Sequence, residues 1–260
     1  AYFLKAGKSD LPLIHEVKRL SDARSFSARS VETRQAGAAI FKCQASFQVP
    51  ESSTIEHSAE MPEVPPPEAL PDPLVRVRDR LDGLSAPSSH ADGLGDDREC
   101  FLEEFLQCVQ RFPIDVRHVG DEPDYLDDDP PACPPRRLVW VKTRLPLEDE
   151  PNLHRCAAVF FSDWALLSTA LLPHRIQYPG MSANRLKMFA SLDHAMWFHS
   201  PFRADEWLLY EIESPRATAG RALSFGKLYN RQGVLCMSVA QEGVVRRPRP
   251  DEGGLQPNGG

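Results

Sequence analysis

Apolar and polar residues alternate or mix over the first 49 positions in the manner of strands. "LPLIHEVKRL" and "SFSARSVETR" are two such stretches, and "RQAGAAIFKCQASFQV" places a glycine turn before a third. "PESSTIEHSAEMPEVPPPEALPDP", residues 50–73, then breaks the pattern, because its prolines and acids exclude an interior strand or helix. It reads as a linker or an arm wrapped over the surface. "SAPSSHADGLGDD", residues 85–97, reads as a flexible loop. Phe101, Phe105, Leu106, Val109 and Phe112 recur at helical spacing, which predicts a helix over residues 100–112 with one buried face. "FPIDVRHV" and "RRLVWVKTRLPL" read as strands on either side of an acidic, proline-rich loop.

The segment "RCAAVFFSDWALLSTALLPH" changes character in its middle. The half up to Phe161 reads as a fully buried strand. The rest reads as an apolar helix, capped at its start by Ser162 or Asp163 and stopped by Pro173. "WALLSTALL" is apolar all round, so it has to be surrounded by protein. From residue 186 to 246 the chain reads as strands: "LKMFASLDHAMWFH", "EWLLYEIES", "GRALSFGKLYN" and "VLCMSVAQEGVV". A long antiparallel sheet around one apolar helix satisfies this order. The first of these strands carries Ser191, Asp193, His194 and His199, polar groups that cost free energy in a sheet unless partnered.

The chain also repeats itself. "YFLKAGKSDLPLIHEVKRLSDARSFSARSVETRQAGAAIFKCQASFQ" and "WFHSPFRADEWLLYEIESPRATAGRALSFGKLYNRQGVLCMSVAQEG" share one order. Each has an aromatic pair, an extended strand, a strand rich in Arg and Ser, a polar-glycine turn and a last strand with a late Gln. Gly37 aligns with Gly233. One module has been duplicated.

Composition narrows the chemistry. A net charge of −7 gives no global basic field for nucleic acid or an anionic membrane surface, and "VVRRPRP" reads as a solvated basic tail. No apolar run is read as reaching the roughly 18 residues of a membrane span. Cys43, Cys100, Cys108, Cys133, Cys156 and Cys236 form no CxxC pair, and no histidine pair has zinc spacing. A reduced, intracellular protein without structural metal or cofactor is expected. "GLSAP" lacks the second glycine of a nucleophile elbow, and no P-loop or dinucleotide fingerprint is present.

"SLDHAMWFHSPFRADEWLLYEIESP" and "SVAQEGVVR" resemble the acyl-CoA thioesterase II family, including the eukaryotic peroxisomal acyl-coenzyme A thioester hydrolases. "RSFSARSV", "IFKCQASFQ", "MPEVPPPE" and "FFSDWALLSTALLPH" extend the likeness over nearly the whole chain. The resemblance implies an α+β double hotdog, with two antiparallel sheets each curled around a central helix. It also implies that a strand and helix of the first hotdog are not found before Ala1. The expected division is a partial hotdog at 1–49, a linker, loop and helix at 50–111, a catalytic hotdog at 112–246 and a tail at 247–260. The apolar face of the first part's sheet is then expected to be exposed or filled by something else, and if exposed it predicts association or instability.

The implied activity is hydrolysis of fatty acyl-CoA to free fatty acid and CoA by an activated water, with no cofactor, no metal and no covalent nucleophile. The implied site is Asp163 as base or water-orienter, with Ser191 and Gln241 fixing the water and stabilising charge. Asp193 and His194 support them. The family's hydroxyl is often Thr, so Ser191 is a small departure that keeps the hydroxyl. By residue type alone, Asp163 is equally a helix cap, and period two leaves open whether Ser191 faces the helix. Arg175, Arg203 and Arg221 are the cations considered for the CoA phosphates, and a homo-oligomer is expected. The chain ends "GLQPNGG", not a Ser-Lys-Leu type signal, so peroxisomal matrix and cytoplasm both remain. A truncated, non-catalytic hotdog that binds acyl-CoA or dimerises is the alternative.

Overall fold

The computed structural model describes residues 1–84, 95–120, 127, 129–178, 180 and 185–248, with the side chains of 80, 84 and 95–99 left aside. The loop expected at 85–97, residues 121–126 and 128 of the acidic loop and the tail from 249 therefore lie outside the described residues, except that 95–97 open a helix.

Four strands form the first sheet: β1 (Tyr2–Phe3), β2 (Ile14–Asp22), β3 (Phe26–Gln35) and β4 (Ala38–Gln48), in the order β1-β4-β3-β2. Two helices follow, α1 (Pro73–Leu84) and α2 (Gly95–Arg111). The second sheet begins with β5 (Ile114–His118) and β6 (Arg136–Thr143). Helix α3 (Pro151–Ser162) and a 3₁₀ segment (Leu167–His174) then lead into β7 (Met188–Ser191), β8 (Ala195–Phe198), β9 (Leu208–Thr218), β10 (Arg221–Tyr229) and β11 (Leu235–Arg246). Its order is β5-β6-β9-β10-β11-β7, and β8 also pairs with β11. Every pairing in both sheets is antiparallel.

The sheets show the duplication directly. β2-β3-β4 and β9-β10-β11 are the same meander, and the turn glycines Gly37 and Gly233 take φ of 80° and 81°. That left-handed backbone suits glycine and strains other residues. Tyr2 and Phe3 pair with Lys42 and Phe41, as Trp197 and Phe198 pair with Ser238 and Met237 at the matching positions of the second copy. β1 also bridges the copies. Phe3 N–H donates to Leu192 O at 2.9 Å and His194 N–H to Ala1 O at 3.0 Å, so β1 lies between β4 and residues 192–194.

The second sheet curls around the 3₁₀ segment, which packs on β6, β9, β10 and β11. Leu166, Leu167, Ala170, Leu171 and Leu172 are all buried, as an all-apolar helix requires. Ser168 and Thr169 satisfy their hydroxyls by donating back to Ala165 O. The core is completed by Phe161, Tyr210, Ile212, Leu228, Met237 and Val239. Among the described residues none covers the first sheet in this way, and Ile14, Val17, Leu20, Phe26 and Phe47 are exposed.

Residues 50–73 act as the wrapping arm. Met61, Val64 and Leu70 pack on Trp140, Leu209 and Tyr229 on the outer face of the second sheet. Pro65 O accepts from Trp140 Nε1 at 2.9 Å, and Arg231 grips both oxygens of Glu68 at 2.7 and 3.0 Å.

Several expectations are corrected. The half-segment up to Phe161 is not a strand but helix α3. Pro151 sits in its first turn, Glu150 accepts from Asn152 N–H as its cap, and His154, Ala158, Phe161 and Ser162 make a buried stripe at helical spacing while Phe160 is exposed. Ser162 and Asp163 therefore cap no helix start; they stand where α3 ends. Pro173 does not stop the next element, which runs through it to His174 and ends on left-handed Arg175. Helix α2 begins earlier than expected, α1 was not foreseen, and β6 ends at Thr143, short of Leu147. "LKMFASLDHAMWFH" is not one strand but two, β7 and β8.

Read end to end, Pro151–His174 is long and apolar enough for a membrane crossing, which the division into strand and helix hid. Yet 56% of its most apolar window is buried inside the protein, and a left-handed Ala165 (φ 61°) breaks it in two. Those are features of a core element.

Candidate functional site

The site forms where α3 ends. Tyr210, fully buried on β9, donates its hydroxyl to Ser162 O at 2.7 Å and pins the last turn. Burial holds its phenol well above the ordinary tyrosine range, so the donor keeps its proton. Asp163 follows at φ −76°, and left-handed Ala165 then turns the chain under the sheet. The carboxylate is thereby held at the rim of the core, and its side chain caps nothing.

Opposite it, β11 presents Gln241 on the core face with Met237 and Val239, as period two predicts. The amide has no exposed surface and is fully partnered. Its Nε2 donates to Asp163 Oδ1 at 2.8 Å and to Ser191 Oγ at 2.6 Å, and its Oε1 faces His194 Nδ1 at 2.6 Å. Ser191 Oγ lies 3.5 Å from Asp163 Oδ1. Three residues far apart in sequence thus form a closed triangle. Among the described residues, both hydrogen bonds to the carboxylate fall on Oδ1.

The question of which face Ser191 takes is answered by a bulge. Ser191 pairs with Gly243 and Ala195 with Ala240, so 192–194 on one strand oppose only 241–242 on the other. The extra residue reverses the alternation, and Ser191 and His194 both turn toward Gln241, an arrangement a regular strand forbids. Asp193 holds the bulge. Its Oδ1 accepts from Glu242 N–H at 2.9 Å, while Leu192 N–H donates to Glu242 O at 2.9 Å.

His194 is buried and bridges two polar groups, Gln241 Oε1 at Nδ1 and Ser162 Oγ, 2.9 Å away, at Nε2. Burial pulls its pKa below the ordinary histidine range, against the opposing pull of Gln241 and Asp163, so the ring is neutral near pH 7. His199 stands elsewhere, its Nε2 2.9 Å from Ser238 Oγ.

Asp163 and Ser191 open onto a cavity of about 440 Å³; Gln241 does not line it. Phe112, Phe160, Trp164, Leu167 and Phe189 make its wall apolar. Arg137 and Gln177, buried and joined at 3.2 Å, add a polar patch that the sequence reading did not single out. Ser162 was read only as a cap; its signal was a lone hydroxyl inside an apolar run. Arg175, Arg203 and Arg221 are not part of this lining, and each pairs with a carboxylate: Arg175 with Asp129, Arg203 with Asp205 and Asp149, Arg221 with Glu242.

Gly243 lets the helix come this close to the sheet. A Cβ there would lie 2.3 Å from Leu167 Cδ2 and 3.0 Å from the backbone oxygen of Ala190. Gly243→Ala is therefore expected to push the segment behind Asp163 away from Ser191 and to lower kcat by about 10–100-fold, the scale on which small misplacements act. Steady-state kinetics on the folded variant check this.

A family model described as acyl-CoA thioesterase matches residues 132–244, which contain every residue of this triangle. The mouse protein acyl-coenzyme A thioesterase 8 is 40% identical over 256 residues, covering 98% of this chain and 74% of that protein. The crystal structure of an acyl-CoA thioesterase II, TesB2, from Mycobacterium marinum is 35% identical and superposes with a TM-score of 0.70 over 95% of this chain and 78% of that one. A hot dog fold protein from Alicyclobacillus acidocaldarius, at 16% identity and a TM-score of 0.61 over 91% of this chain and 74% of that one, agrees in fold alone. With two curled antiparallel sheets, one around an apolar helix, and identity at this level over nearly its whole length, the chain belongs to the acyl-CoA thioesterase II family.

Proposed function

We propose that this chain hydrolyses fatty acyl-CoA to free fatty acid and CoA, with Asp163, Ser191 and Gln241 as its site. One observation carries the reading: a carboxylate and a hydroxyl stand 3.5 Å apart at the mouth of an apolar cavity, both held by one buried amide. The apolar wall suits an acyl chain. Asp163 takes a proton from water, and the water oxygen attacks the thioester carbonyl. The tetrahedral intermediate collapses by breaking the C–S bond, and the departing thiolate takes the proton back from Asp163. Atoms and charge balance without a covalent enzyme intermediate. Ser191 orients the water and donates to developing charge. Gln241 holds the carboxylate and the hydroxyl in register.

A peroxisomal setting belongs to the same reading, supported by the likeness to a yeast peroxisomal acyl-coenzyme A thioester hydrolase. A homo-oligomer belongs to it too, supported by the hotdog fold of its relatives.

The test is release of CoA thiol from palmitoyl-CoA by the purified chain, run in heavy-oxygen water. Turnover that places one solvent oxygen in the fatty acid is expected. Binding of palmitoyl-CoA without thiol release would instead favour the non-catalytic alternative. Ser191→Ala is expected to lower kcat by about 10²-fold, the usual cost of removing one donor to developing charge. Ser191→Thr keeps the hydroxyl and most of the rate. Equal rates for the Ala variant and the parent would remove Ser191 from the site.

A further inference from the structure

The Gln241 amide has two ends, and the site works only one way round. With Nε2 toward Asp163 and Ser191, both N–H groups meet acceptors; reversed, Oε1 would stand against a carboxylate oxygen at 2.8 Å. Asp163 lies at the rim and meets solvent in the cavity, so it does not by itself hold the amide through every step of a reaction. The other end of the amide is closed off from solvent, and the group found there is His194.

We propose that His194 is a positioning residue whose Nδ1–H, donated to Gln241 Oε1, fixes the amide with its N–H groups toward Asp163 and Ser191. This rests on the reading of Asp163 as base. The tautomer follows from the partners. Gln241 Oε1 only accepts, so Nδ1 carries the proton. In the neutral ring Nε2 is then bare and takes the Ser162 hydroxyl proton at 2.9 Å, in place of Val159 O, which lies at the same distance from that hydroxyl. Ser162 sits at the pinned end of α3, beside Asp163 in sequence, so the chain of bonds starts and finishes at the same place. The order is Ser162 O–H to His194 Nε2, His194 Nδ1–H to Gln241 Oε1, Gln241 N–H to Asp163 and Ser191. Each member points its donor toward the carboxylate, and such chains polarise cooperatively. The bulge is what admits the ring: in a regular strand His194 and Ser191 face opposite ways. His194 touches neither the cavity lining nor Asp163 directly, so it does not serve as the base itself.

Two replacements separate positioning from bulk. His194→Leu removes the donor and is expected to lower kcat about 10²-fold, with KM within about twofold of the parent, because the wall of the cavity is untouched. His194→Asn, whose amide N–H reaches the place of Nδ1–H, is expected to restore about tenfold of that loss. The pH profile of kcat/KM should keep its acid limb in His194→Asn. Equal losses in the two variants, or an acid limb that shifts with the substitution, would overturn the proposal, the second outcome making His194 a proton carrier. Nitrogen NMR of the histidine-labelled parent gives a readout independent of turnover. His194, identified by its disappearance in His194→Asn, is expected to show a protonated Nδ1 and a bare Nε2; a bare Nδ1 overturns the proposal. A parent that hydrolyses no acyl-CoA but shows the expected tautomer would sink the proposed reaction and leave the orientation of Gln241 standing.

Discussion

Asp163→Asn is expected to reduce thiol release from palmitoyl-CoA by about 10³-fold, the middle of the range for a lost general base. The substitution is close to isosteric. Its carbonyl can accept the Gln241 N–H that now goes to Oδ1 at 2.8 Å, so the triangle and the fold should persist. What disappears is the ability to take a proton from water. Thermal denaturation should therefore show a Tm near that of the parent while kcat collapses, and KM should move little because the apolar wall of the cavity is intact. The comparison discriminates well. Were Asp163 merely a structural partner of Gln241, Asn would serve nearly as well and the rate would survive. A variant retaining more than about a tenth of the parent rate would end the assignment of Asp163 as base.

The largest expected loss of stability is at Gly226. A Cβ on this residue would come within 2.4 Å of Tyr210 Cε2, 2.7 Å of its hydroxyl and 2.9 Å of Cζ. Tyr210 has no exposed surface and its ring is rigid, so it has nowhere to swing. Gly226→Ala is expected to cost about 3 kcal/mol through overpacking and to lower Tm by roughly 5–10 °C. A second effect follows from the first. If the ring moves, its hydroxyl leaves Ser162 O, the end of α3 is released, and Asp163 loses its fixed position. Activity measured well below the new Tm should fall as well. A variant as stable as the parent would mean that β10 shifts to make room and that the approach of ring to backbone is not needed.

Part of the proposed site is legible in the sequence. Gln241 lies on an apolar row of period two, and the structure keeps it there. The duplication was legible down to its turn, because Gly37 and Gly233 mark the same left-handed position. The all-apolar "WALLSTALL" demanded enclosure and has it.

The misreadings have a common cause. "RCAAVFF" supports a buried strand as well as a helix when only local apolarity is counted. Glu150, Pro151 and the burial stripe from His154 to Ser162 decide for helix, and burial is set by the partner sheet. Asp163 was placed at a helix start, where a cap is its ordinary role. Its real partner is an amide on β11, 78 positions away in sequence. The faces of Ser191 and His194 could not be read, since one extra residue on one strand inverts a period-two pattern without leaving a mark in it.

The sequence alone determined that a repeated strand module exists and that one apolar segment has to be enclosed, both of which follow from periodicity and composition and are local; only the family resemblance singled out the carboxylate, the hydroxyl and the amide proposed for hydrolysis. Tertiary structure alone decided that these groups meet. Convergence depends on a bulge clamped by Asp193, on a break at Ala165, and on two glycines that let side chains from other elements approach. Each is a contact between distant segments, whose free energy no stretch of chain carries by itself.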